Sequence, residues 1–212
     1  MSKIGILAYG SLIEDPGKEI EPLITERIDD VQTPFNIEFA RTSSSRDGAP
    51  TVIPVQKGGS PAKNAKILVL DRSITSEKAT DLLWRRETRN EASEKSYKRR
   101  KKPTANHVVV EELKGFCNLD CVLYTKIGAN IESPTAEKLA ELAIISAQSN
   151  AGEKGEDGIS YLLSLKRQKI TTPLMPGYEK HVLESLGVKT LDDALNVVRK
   201  NIEQNVKVRS VH

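Results

Sequence analysis

The sequence has few cysteines, few histidines and no long apolar run. Its 212 residues include two cysteines, Cys117 and Cys121, which exclude the dense disulfide framework of small secreted domains. With only three histidines, the two thiols have no second pair at zinc-ligand spacing, so we expect no metal site. No run approaches the roughly 18 apolar residues that a membrane span requires, and the apolar stretch 4–9 is shorter than a signal-peptide core. We therefore expect a cytoplasmic protein that is not associated with membranes.

The sequence also has no large excess of either positive or negative charge. The chain has 32 basic and 29 acidic residues, a net charge of +3, so its overall charge does not indicate a nucleic-acid partner. Hydrophobic residues make up 38% and charged residues 29% of the sequence, as in a globular protein. The length is sufficient for one domain with a sizeable appendage.

The first 130 residues read mainly as short strands. Apolar or alternating segments bounded by turn residues predict strands at residues 4–9, 35–41, 51–55, 65–70, 107–111 and 120–124. Residues 18–30 have apolar residues at helical spacing and predict either a short helix or an extended connector. Pro54 favours an edge strand or a bulge, because proline cannot donate to a strand ladder. We expect a small curled mixed sheet or barrel.

Helical patterns come later in the chain. Ser76 is a plausible N-cap for a helix over residues 77–86, and Ser133-Pro134 indicates the start of another. Further helices are predicted at residues 159–166, 178–186 and 191–201. The sequence thus predicts an α+β protein with a domain at residues 1–130 and an α-helical C-terminal extension at residues 131–212. The extension's apolar side chains, for example Leu139, Leu142 and Ile145, would pack on the sheet or form a homodimer.

Two segments are candidates for chemistry. Tyr9, Gly10, Ser11 and Leu12 follow a buried strand in a glycine turn, where backbone N–H groups without strand partners can bind an anion. The simpler interpretation is that the turn only connects the strand to the next segment.

On the predicted helix, Glu87 continues an apolar face beside Leu83 and Trp84, where partial desolvation suits a general base. The alternative is that Glu87 and the neighbouring arginines form a solvated helix end.

The Tyr9–Leu12 turn, followed some seventy residues later by Leu83-Trp84-Arg85-Arg86-Glu87, resembles the γ-glutamylcyclotransferase-like family. The resemblance extends over residues 4–125 and implies that family's fold. It also implies a cyclotransferase that releases 5-oxoproline from a γ-glutamyl compound. By this resemblance Tyr9, Gly10, Ser11 and Leu12 bind the γ-glutamyl carboxylate and carbonyl, Glu87 is the catalytic acid/base, and Tyr124 lines the pocket.

The predicted reaction requires no metal or organic cofactor, because the substrate's own α-amine is the nucleophile. By the same resemblance the substrate would be glutathione, a γ-glutamyl amino acid, a γ-glutamylamine or another γ-glutamyl conjugate. Arg41, at the end of a predicted strand, is a candidate for holding a substrate carboxylate, and an exposed loop arginine is the alternative.

A basic run at residues 98–102 supports a different class of function. Five consecutive cations can contact phosphates, so a non-catalytic binding or scaffold protein on the same fold, associated with nucleic acid, is the alternative to an enzyme. Such runs are more often solvated loops. From the sequence alone we therefore do not expect a nucleic-acid partner.

Overall fold

The computed structural model describes residues 2–91 and 93–209, with residues 202–209 described by their backbone alone. This part of the chain contains six α-helices and two β-sheets, which confirms the α+β class, and neither sheet closes into a barrel within it. The strands are β1 (Ile4–Ala8), β2 (Ile24–Val31), β3 (Asn36–Ser43), β4 (Ala49–Val55), β5 (Ser60–Pro61), β6 (Ala65–Leu70), β7 (Val109–Lys114) and β8 (Cys121–Lys126). The helices are α1 (Ser76–Glu87), α2 (Ala136–Ala147), α3 (Asn150–Glu153), α4 (Gly158–Arg167), α5 (Met175–Leu186) and α6 (Leu191–Arg209).

The chain folds into two compact units, and each is built from two separate stretches of sequence. The first contains the residues up to Phe35 together with Pro61–Gly128, and the second contains Asn36–Ser60 together with the residues from Ala129 onward. The division into domains 1–130 and 131–212 stays a prediction.

The first unit has a five-stranded mixed sheet in the order β2-β6-β1-β8-β7. β1 lies at its centre, antiparallel to β6 and parallel to β8, and all five of its residues are buried. Helix α1 buries Ala79, Leu82 and Leu83 in the core that β1, β6 and β8 also form. The sheet therefore holds both the end of β1 and the length of α1 in fixed positions.

The second unit contains the paired strands β3 and β4 and the remaining helices. As Pro54 predicts, β4 is an edge strand. Side chains from the helical part of the unit, about 100 residues later in the sequence, donate hydrogen bonds to the turn between β3 and β4. Ser146 Oγ donates to the Arg46 carbonyl at 2.6 Å, and Ser149 Oγ donates to Asp47 Oδ2 at 2.7 Å.

Three local predictions differ from the structure. Residues 24–31, which have a helical spacing of isoleucines, form the edge strand β2, because they pair with β6 across two register shifts. The N-cap of α1 is Thr75, whose hydroxyl accepts the Lys78 N–H. The N-cap of α2 is Thr135, since Ser133 lies in the left-handed region with φ 46° and cannot begin a helix.

Glu38 is a buried carboxylate in β3, at 5% exposure. Its Oε1 accepts the Phe39 N–H at 2.9 Å and its Oε2 accepts the Leu174 N–H at 3.3 Å. Leu174 is the residue from which α5 begins, so a negative charge lies at the positive end of that helix's dipole. The predicted alternation of the strand would have placed Glu38 in solvent.

The two cysteines differ sharply in environment. Cys117 is exposed, whereas Cys121 is buried, with its Sγ 3.6 Å from Ser76 Oγ. Burial raises the pKa of the Cys121 thiol, and the thiolate is the reactive form.

We expect iodoacetamide at pH 8 to modify Cys117 at least about tenfold faster than Cys121, measured by peptide mass spectrometry. Equal rates would contradict the buried position of Cys121, and unfolding in urea should make the rates converge.

Among the helices of the described residues, none has the length and apolar character needed to span a bilayer. The apolar face of α2 is partly covered, with Leu139 fully buried and Ile145 54% exposed. Dimerisation through the C-terminal helices stays a prediction.

Candidate functional site

The Tyr9–Leu12 turn lies where the central strand β1 ends. Gly10 precedes a 3₁₀ helix at Ser11–Ile13, and the Ile13 N–H donates to the Gly10 carbonyl at 3.0 Å. Among the described residues, none accepts a hydrogen bond from the N–H of Ser11 or Leu12, as expected at the start of a helix. The Leu12 side chain is buried at 6% exposure and anchors the turn in the core. These two amides are available donors on a fixed backbone.

An aromatic cluster lies beside this turn. The Tyr9 hydroxyl donates to the Thr125 carbonyl on β8 at 3.0 Å. Phe35 meets the Tyr9 ring edge-on at 5.5 Å between centroids and stacks on Tyr124 at 4.7 Å. Tyr9 and Tyr124 are each less than a tenth exposed. The structure thus brings Tyr9 and Tyr124 together through Phe35, a residue that the sequence pattern did not single out.

The last turn of α1 is fixed by Arg85. This arginine is only 4% exposed, and its guanidinium donates to Glu19 from both Nε (2.9 Å to Oε2) and Nη2 (2.8 Å to Oε1). Its Nη1 donates to the Lys95 carbonyl at 3.2 Å. The hydrogen bond to Glu19 raises the pKa of Arg85. The alternative prediction, that the arginines near Glu87 form a solvated helix end, is therefore wrong for Arg85.

Arg86 joins the two segments that the sequence singled out. Its Nη1 donates to Glu87 Oε1 at 2.7 Å, and its Nη2 donates to Ser11 Oγ at 3.3 Å and to the Asp15 carbonyl at 2.5 Å. The Arg86 side chain is 12% exposed and that of Glu87 is 23% exposed. One guanidinium therefore holds the Glu87 carboxylate and the Ser11 hydroxyl in the same neighbourhood, although 75 residues separate Ser11 from Arg86.

Gly17 gives Arg86 the space that it occupies. This glycine has φ +91°, and a Cβ there would lie 2.8 Å from Arg86 Cγ and 2.3 Å from Glu91 Oε1. A side chain at this position would displace the arginine's stem. The loop glycine is thus part of the arrangement, and it had no distinguishing signal in the sequence beyond its place in a turn.

Arg41 belongs to the second unit, on β3. Its carbonyl accepts a hydrogen bond from Thr51 Oγ1 at 3.2 Å, and burial lowers its pKa. It is half-buried, which differs from the exposed loop arginine that was the alternative. Its role in binding a carboxylate stays a prediction.

The candidate site thus contains one half-buried carboxylate, one guanidinium, one hydroxyl and two available backbone donors. Within the described residues, no group of three or more His, Cys, Asp and Glu side chains is placed to hold a metal ion. The arrangement is suited to proton transfer by Glu87 and to stabilisation of a negative oxygen by the turn amides.

Comparison with known proteins gives no further assignment. No protein-family model matches the chain, and no curated protein matches it either.

Proposed function

We propose that this protein is a cytoplasmic γ-glutamylcyclotransferase, which releases 5-oxoproline from a γ-glutamyl compound. The observation that carries the proposal is the link made by Arg86, which holds Glu87 of α1 near Ser11 of the β1 turn. These are the two segments on which the sequence resemblance rests. The resemblance itself, and the family's substrate class with it, are part of the proposal.

The reaction is an intramolecular aminolysis. The substrate's α-amine attacks the γ-carbonyl carbon, a new C–N bond closes the five-membered ring, and the original amide C–N bond breaks. Glu87 takes a proton from the ammonium group, which frees the amine to attack, and ring closure releases a second proton from the new amide nitrogen. Glu87 carries the two protons in turn to the leaving nitrogen, which departs as an ammonium group. Since nucleophile and electrophile are in the same molecule, an effective molarity of about 10⁵ M or more is available before any catalysis.

The turn amides have a separate task. As the amine attacks, the γ-carbonyl oxygen becomes negative, and the N–H groups of Ser11 and Leu12 are available to donate to it. A well-placed donor of this kind contributes about 3 kcal/mol of transition-state stabilisation. We assign Tyr9 and Tyr124 to the wall beside the turn, since both are buried and held by Phe35.

The direct test is product release from a panel of substrates. Purified protein is incubated with glutathione, γ-glutamyl amino acids and γ-glutamylamines, and 5-oxoproline is quantified by mass spectrometry. The matched controls are the α-glutamyl isomers, in which the α-amine cannot close a five-membered ring onto the scissile amide. We expect release from at least one γ-glutamyl compound and from no α-glutamyl isomer. No release from any member of the panel would overturn the proposed function.

A further inference from the structure

The basic run lies in a segment that is held in place. Here we define the basic segment as residues 97–102. The Tyr97 N–H donates to Asp81 Oδ1 on α1 at 2.6 Å, and the Tyr97 ring lies 6.3 Å from that of Trp84. The Tyr97 hydroxyl accepts the Val110 N–H of the edge strand β7 at 3.2 Å. The segment is therefore fixed to both a helix and a sheet edge, in contrast to the solvated loop that the sequence favours.

Arg99 provides a second attachment two residues later. Its Nη1 donates to the Val110 carbonyl at 3.2 Å, and its Nη2 donates to Glu111 Oε2 at 2.9 Å. Tyr97 and Arg99 thus attach the segment to both the N–H and the carbonyl of Val110.

The other cations of the segment are unneutralised. Lys98, Arg100, Lys101 and Lys102 are exposed, and within residues 2–91 and 93–201 they have no ion pair. The nearest acidic side chain along β7, Glu111, is already paired with Arg99 at 2.9 Å and with Lys126 at 3.8 Å. Four positive charges are thus displayed in a segment that is attached to α1 and β7 through Tyr97 and Arg99, and this attachment reduces the ordering cost of binding a partner.

We propose that the basic segment binds the phosphate backbone of a nucleic acid without reading its sequence. Residues 98–102 are all cationic, so they lack the apolar or aromatic centre of a protein interface. Anionic lipid attracts such a run by charge alone, but stable membrane attachment needs a second, apolar signal, which residues 98–102 do not contain. Base stacking would need a free aromatic ring, and the Tyr97 ring is half-buried beside Trp84. Charge contact with phosphates is the chemistry that remains.

The test is nucleic-acid binding as a function of salt. Fluorescence anisotropy with labelled duplex DNA and single-stranded RNA of two unrelated sequences measures affinity between 50 and 200 mM KCl. Four phosphate contacts predict a slope of log affinity on log salt of about −3.6 for the duplex and about −2.8 for the single strand, hence a loss of roughly 150-fold and 50-fold over this range. The variant K98Q/R100Q/K101Q/K102Q should lose most of this slope.

The matched control is K3Q/K57Q/K63Q/K189Q, which removes the same number of charges from exposed lysines elsewhere and should retain the wild-type slope. Equal loss in both variants would overturn the proposal, because it would reflect net charge alone. Absence of binding at 50 mM KCl would also overturn it. So would binding confined to phosphatidylserine vesicles or to a polyglutamate peptide. Circular dichroism checks that both variants remain folded.

Discussion

Glu87→Gln is expected to lower 5-oxoproline release by about 10²- to 10⁴-fold, the contribution typical of a general acid–base group. Glutamine keeps the size of the side chain and can still accept from Arg86, but it cannot take up and return the proton. The measurement is kcat/KM on the best substrate of the panel, with the unfolding midpoint in urea as a check on folding.

The matched control for Glu87 is Glu77→Gln. Glu77 lies on the same helix, in its first turn, and is exposed, so the same substitution removes one charge without affecting the candidate site. Its activity should stay within about twofold of the wild type, since surface substitutions of this kind have small effects. An active Glu87→Gln variant would remove Glu87 from the acid/base role, even if the wild type releases 5-oxoproline.

Arg85→Met is expected to lower the free energy of unfolding by about 2–4 kcal/mol. Breaking a buried ion pair costs roughly 3–5 kcal/mol because the remaining charge is left without a partner, and the 28% exposure of the Glu19 side chain reduces this. The Lys95 carbonyl would lose its donor as well. Urea unfolding gives the free energy from the midpoint and slope.

The chain offers a matched pair for this experiment. Arg27 also forms an ion pair with a glutamate, since its Nη2 donates to both carboxylate oxygens of Glu21 at 2.7 and 2.9 Å, but the two side chains are 40% and 52% exposed. Arg27→Met should therefore cost no more than about 1 kcal/mol. Similar losses in the two variants would show that burial of the Arg85 pair has no energetic importance. The double variant Arg85→Met/Glu19→Leu should recover most of the loss, because it leaves no unpaired charge.

The sequence predicts those parts of this fold that depend on local pattern. The continuous apolar run of β1 and the helical spacing of α1 agree with the structure, as does the break at Gly187, which has φ 64° between α5 and α6. In each of these cases the neighbouring residues alone determine the outcome. Strand β2 was not predicted, because the spacing of its isoleucines favours a helix or an extended connector, and only its pairing with β6 makes it a strand.

What the sequence could not predict depends on distant partners. Arg85 is buried because Glu19, 66 residues earlier, provides its counter-charge. Glu38 is buried because the start of α5, 136 residues later, provides a donor. In the candidate site the turn and Glu87 were singled out from the sequence, but the hydrogen bonds by which Arg86 joins them were not. Charged residues normally indicate solvent, and only the folded chain shows which of them have partners.

The attachment of the β3–β4 turn to the C-terminal helices also has a consequence for synthesis. The Arg46 carbonyl has its donor on Ser146, 100 residues later in the chain. At a translation rate of about 5–20 residues per second, the hairpin emerges roughly 5–20 s before that hydroxyl exists. The strands at 36–60 therefore have no helices to pack against while the next hundred residues or so are synthesised. Contacts of such long range also slow folding. We therefore expect the second unit to finish folding late in the synthesis of the chain.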